Sequence, residues 1–129
     1  MNTIARFEDI VAWQKARLLT KDIYACTRTG AFAKDFGLKG QIQRASVSTM
    51  ANIAEGFDRG GDKEFIQFLS TSKGSCREVK SHLYVALDQV YINPATFNHL
   101  YTEADEVGRL VFGFMEYLRQ SALRGRKFK

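Results

Sequence analysis

Proline occurs once in this chain and cysteine twice, and its ten glycines are dispersed. Those scarcities exclude collagen-like and low-complexity classes. Cys26 and Cys76 are 50 positions apart and form no Cys-x-x-Cys pair, so they are expected as free, buried thiols. His82 and His99 do not cluster with them, which leaves no four-ligand zinc set. No apolar run approaches the roughly 20 residues that a membrane span needs. The opening segment, MNTIARFEDI, lacks the apolar centre of a secretory signal, so a cytoplasmic protein without membrane partners is expected.

What is present suits one globular domain. The chain has 129 residues, of which 45% are hydrophobic and 26% charged, enough to bury a core of its own. Residues 1–123 are expected to form that domain and residues 124–129 a basic tail. Net charge is +5, and its placement says more than its size. Residues 1–118 hold 14 basic and 14 acidic residues, whereas residues 119–129 hold five basic residues and no acid. Within the balanced part, residues 15–44 carry seven basic residues against two acids, and residues 45–118 carry six against ten. Such a distribution suits an anionic partner.

Hydrophobic spacing predicts four helices. The first covers about Glu8 to Thr29, with Ala12, Ala16, Leu19, Ile23 and Cys26 on one stripe and Gly30 as its stop. The second runs from Phe36–Leu38 to Glu55, after which Gly56 leads into a turn at Gly60-Gly61 with Asp62 as the next N-cap. The third, Lys63 to Val90, carries Phe65, Leu69, Ser72, Cys76, Val79, Leu83, Ala86 and Val90 at unbroken 4-3 spacing. Gly74 in its middle is expected to mark a closely passing neighbour. Asn93-Pro94 reads as a cap and first turn, and the fourth helix reaches about Leu123. Short connections make sequential helices antiparallel. The expected fold is all-α, an antiparallel up-down-up-down four-helix bundle.

In Leu110–Leu118 (LVFGFMEYL) large apolar residues point all round the helix. A helix of that kind is buried on more than one side. Leu110, Phe112, Phe114 and Tyr117 are therefore expected at an oligomer interface; a slightly wider core face is the alternative.

Signals for catalysis are weak. Glu78 with His82 and His99 with Glu103 stand at i, i+4 rather than the Glu-x-x-His spacing of di-iron bundles, and read as surface helix pairs. There is no nucleophile elbow, phosphate-cradling loop or His-Glu-x-x-His. No enzyme, cofactor, metal or small-molecule substrate is expected. Asn52 is expected to bond a neighbouring backbone, and Glu55 to pair with a basic residue or cap the following turn.

An ordered set of residues resembles a known family. It comprises Phe7-Glu8-Asp9-Ile10, Trp13-Gln14, Ala16, Phe36-Gly37-Leu38, Gln41 and Arg44-Ala45. It continues with Ser48 ahead of Asn52-Ile53-Ala54-Glu55-Gly56, then Lys63-Glu64-Phe65, Phe68-Leu69, Gly74-Ser75 and Glu78. The set resembles the bacterial 23S rRNA-intervening-sequence proteins, similar in fold to the accessory variability determinants of diversity-generating retroelements. That resemblance implies a four-helix bundle assembled as a ring-like homopentamer, with no known catalytic activity. In the retroelement relatives it further implies a basic barrel that binds nucleic acid and a reverse transcriptase.

Basic residues are the best functional candidates. Lys15, Lys21, Arg28, Lys39 and Arg44 fall on neighbouring helices and are expected to merge into one patch, the alternative being a solvated face. Arg119, Arg124, Arg126, Lys127 and Lys129 form the tail cluster, where charge beside Phe128 suits phosphate contact with base stacking. The expected function is a basic oligomeric scaffold that binds RNA or DNA through Lys/Arg–phosphate contacts, with a reverse transcriptase as a candidate partner. The competing reading is a protein-interaction adaptor that does not bind nucleic acid.

Overall fold

A computed structural model describes residues 4–123, with side-chain surroundings through Ser121; Arg124, Arg126, Lys127 and Lys129 lie outside it. Four helices, α1 (Val11–Thr27), α2 (Phe36–Arg59), α3 (Asp62–Asp88) and α4 (Pro94–Leu123), account for nearly all of this span. There is no strand among the described residues. Each helix packs on its sequence neighbours and α1 closes against α4, which makes the up-down-up-down bundle. No helix among the described residues is long and apolar enough to cross a membrane.

The expected first helix is divided. Phe7–Asp9 form a 3-10 turn and Ile10 is extended, so the α-helix restarts at Val11. Asp9 Oδ2 accepts the Ala5 and Arg6 amides (3.1 and 3.2 Å), which fixes the turn. Phe7 then packs edge-on against Trp13, with ring centroids 5.1 Å apart. Gly30, at φ +63°, supplies the left-handed residue after α1.

Asp35 caps α2 by accepting the Leu38 amide (3.0 Å), and its other oxygen accepts the Tyr91 hydroxyl (2.9 Å). The helix passes through Gly56 and stops only at Gly60, φ +86°. Asp62 is the first residue of α3, and Gly61 takes the cap position. Asn93 Oδ1 accepts the Thr96 amide (2.7 Å), so the Asn-Pro start of α4 is as expected.

Leu19, Ile23, Phe32, Ile42, Ile53, Leu69, Leu83, Leu100, Val107 and Val111 form one continuous buried core. Its small polar members are satisfied by backbone, apart from Ser75, which bonds a side chain. Thr20 Oγ1 donates to Ala16 or Ser46 carbonyls (2.8 and 3.0 Å), and Ser72 Oγ donates to Thr49 O (2.6 Å) across the α2–α3 seam.

That seam explains the Ser48–Gly56 element. Ser48 Oγ meets Ser75 Oγ of α3 at 2.9 Å, and Asn52 Nδ2 donates to Ser48 O and Oγ (2.8 and 3.0 Å). Asn52 thus bonds its own helix rather than a neighbouring backbone. One turn on, a Cβ at Gly56 would lie 2.7 Å from Phe65 Cδ1 and 2.8 Å from Phe68 Cβ. The close approach expected at Gly74 occurs here instead, because nothing lies within 4 Å of a Cβ at Gly74. Glu55 is exposed and pairs with Arg59 at 2.9 Å, as anticipated.

Candidate functional site

The expected α1–α2 basic patch does not stay together. Lys15 reaches across to Glu106 of α4 (3.9 Å). Arg44 faces α3, lining a 220 Å³ hollow with Gln41, Ser48, Glu78 and His82. Lys21 on α1 and Arg28 just past its end remain exposed, and Lys39 lies half-buried over the Phe36 ring (6.0 Å). Arg119 is held by Glu116 one turn earlier on α4.

The four residues expected at an oligomer interface do not form one surface, although the Phe114 and Tyr117 rings stand 6.3 Å apart. Leu110 and Phe114 pack onto the core, Phe114 edge-on to Phe65 at 5.1 Å. Tyr117 is half exposed. Phe112 turns toward α3, where the Lys73 ammonium stands 5.8 Å from its ring centre.

Phe112 marks one end of a cationic groove between α3 and α4 with a volume of about 570 Å³. Lys73, Arg77 and Lys80, at i, i+4 and i+7, form its α3 wall, and Arg109 faces them from α4. Small residues, Cys76, Ala104 and Gly108, let the groove form. Its one acid, Asp105, binds both Lys80 (3.0 Å) and Arg109. The bond from Lys80 holds the Asp105 carboxyl below its usual range, and the same bond raises Lys80, so both remain charged. Lys73 and Arg77 make no ion pair among the described residues, which leaves the groove with surplus positive charge.

Cys76 contributes volume rather than reactivity. Its thiol donates to Ala104 O (2.9 Å), and burial pushes it up to about 11, far from the thiolate form.

Sequence reasoning missed this groove because charge was averaged over residues 45–118, where acids outnumber bases. The three cations share a stripe on α3, while Glu64 and Glu78 are spaced onto other faces. The i, i+4, i+7 repeat was the available signal.

A second cluster joins α1 to α4. His99 Nε2 lies 3.5 Å from Asp22 Oδ2 and 3.7 Å from Glu103 Oε2. The three ligand atoms lie within 4.8 Å of one another, a donor set that a divalent first-row ion accepts. The same arrangement also suits a shared proton. Glu103 Oε1 is buried without a hydrogen-bond partner among the described residues. Burial, followed by the adjacent Asp22 carboxylate, pushes Glu103 up to about 7. The His99–Glu103 surface pair is therefore a three-residue contact with a member from α1.

Known proteins agree with the architecture. The model of the 23S rRNA-intervening sequence protein family matches residues 8–113, and the chain belongs to that family. A protein of unknown function from the S23 ribosomal protein family of Bacteroides thetaiotaomicron superposes with a TM-score of 0.75 at 21% identity. The match covers 81% of this chain and 98% of that one, and it shows the shared fold. No curated protein matches the chain.

Proposed function

We propose that this member of the 23S rRNA-intervening sequence protein family is a non-enzymatic, oligomeric scaffold that binds RNA or DNA through Lys/Arg–phosphate contacts. The α3–α4 groove carries the reading: four cations line it against a single carboxylate, which pairs with only two of them, Lys80 and Arg109. Such a cluster lowers its own electrostatic energy by taking up phosphates and releasing their counterions. Phosphate contacts position without specifying, so intrinsic sequence preference is small. Homo-oligomerisation, as a pentamer by family resemblance, would repeat the groove and multiply weak contacts into avid ones. A reverse transcriptase or another nucleic-acid enzyme is the kind of protein that such a scaffold serves.

The test is fluorescence anisotropy with labelled structured RNA and duplex DNA, from about 50 to 300 mM salt. Micromolar or tighter binding that weakens steeply with salt is expected. Lys73→Glu/Arg77→Glu should weaken it about tenfold or more at the low-salt end. Absence of binding to either nucleic acid at low salt overturns the reading. The basic surface would then be a docking site for an acidic protein.

A further inference from the structure

We propose that the α3–α4 groove is built for a single strand rather than a duplex, with successive phosphates on the α3 cations and a base stacked at Phe112. This rests on the nucleic-acid reading above and names its substrate class.

The argument begins with shape. The cations stand in a groove of about 570 Å³ between two helices, within the size range of pockets that enclose a ligand. It has room for one or two nucleotides of a strand. A duplex presents its phosphates on a convex surface too broad to enter. Lys80 is only 26% exposed and is braced by Asp105 and by the Tyr101 ring, 4.8 Å from its ammonium. That ammonium meets a phosphate only if the backbone comes down into the groove, while Arg77 and Arg109 stand exposed along its rim.

Spacing agrees. Along α3, Lys73, Arg77 and Lys80 follow one another at intervals of about 6 and 4.5 Å. The long Lys and Arg side chains widen these intervals to the separation of neighbouring phosphates in a strand, and Arg77, exposed and without an acid partner among the described residues, stands midway. Arg109 faces the row from α4.

The aromatic end supplies what a duplex cannot use. Phe112 is 47% exposed despite its size, with the Lys73 ammonium over one face of its ring and the other face left for a base. In a paired helix the base faces are already stacked, whereas a single strand offers them freely. Combining a cationic row with an exposed ring is the general solution for single-strand binding without sequence readout.

The test compares a labelled 20-mer of oligo-uridine and of oligo-thymidine with a duplex of matched length, using the full chain and variants Arg77→Glu, Phe112→Ala and Phe112→Tyr. Mass by light scattering and melting temperature are recorded for each variant. The strand is expected to bind several-fold tighter than the duplex, with a log–log salt slope of about −1.5 to −2 for two or three neutralised phosphates per groove. Arg77→Glu should flatten that slope by about 0.7 or more. Phe112→Ala should cost fivefold or more in strand affinity, and Phe112→Tyr, which keeps a stacking ring, should restore most of it. Equal strand and duplex binding with no effect of either Phe112 substitution overturns the single-strand assignment but leaves nucleic-acid binding intact. If neither strand nor duplex binds, the underlying reading fails as well.

Discussion

At the scale of single residues, two glycines on neighbouring helices have opposite roles. Gly56 exists because α3 leaves no room: Phe68 Cβ is attached to backbone and cannot rotate away from a new methyl group. Overpacking of this kind costs about 1–3 kcal/mol, and the better helix propensity of alanine returns about 1. Gly56→Ala should therefore lose up to about 2 kcal/mol in urea unfolding. Gly74 has open space, so Gly74→Ala should gain about 0.5–1 kcal/mol, since only the propensity term changes. Loss of stability at Gly74 would show that another surface covers it. Composition suggested the reverse assignment. Small neighbours around Gly74 looked like a close-packing site, while Gly56 sat next to turn residues. Which glycine is crowded depends on which face the partner helix presents, a property of two helices together.

At the scale of elements, the stop of α3 carries a strain absent from the ends of α1 and α2. Tyr91 N donates to Ala86 O (2.9 Å) and Val90 N to Leu87 O (3.0 Å), the paired bonds of a Schellman cap. The residue in the left-handed position is Val90, at φ +61° and 83% exposed. A left-handed L-residue costs roughly 1–2 kcal/mol, most of all when β-branched. Glycine there recovers that cost, less about 0.5–1 kcal/mol for its freer unfolded chain. Val90→Gly should thus raise the urea midpoint by about 0.5–1 kcal/mol equivalent with unchanged slope. An unchanged or lowered midpoint would mean that the exposed valine is covered by something that values it. Helix number, order and most boundaries were legible because 4-3 spacing and an Asn-Pro start are local signals. The break at Ile10 was not, because it depends on Asp9 bonding amides four and three residues back. The cationic groove was equally hidden, since it takes one wall from α3 and another from α4.

At the scale of the whole molecule, bundle closure is where charge enters global stability. Helices α1 and α4 meet along Lys15–Glu106 and the Asp22–His99–Glu103 cluster, the second of which sets Glu103 against a like charge. Glu106, also on α4, adds further negative charge to that site. With Glu103 at about 7 in the fold and at 4.5 ordinarily, the folded chain holds a proton between those values that the unfolded chain has released. The native state therefore binds more protons, so this residue's contribution to stability falls as pH rises from about 4.5 to 7 and is level beyond. Asp105 acts in the opposite direction. Its lowered carboxyl stabilises the fold above the usual aspartate range, and that contribution is lost on acidification. The two effects occupy different windows and can be separated by one substitution. Glu103→Gln keeps the volume, removes the titration and places an amide donor beside Asp22. Its melting temperature should exceed the parent's by a few degrees at pH 8, with the difference shrinking toward pH 5. Thermal melts at both pH values decide the matter. A gap that stays constant would mean that Glu103 carries no extra proton in the folded bundle. A parent that is favoured at pH 8 would mean that the carboxylate finds a compensating cation in the assembled protein.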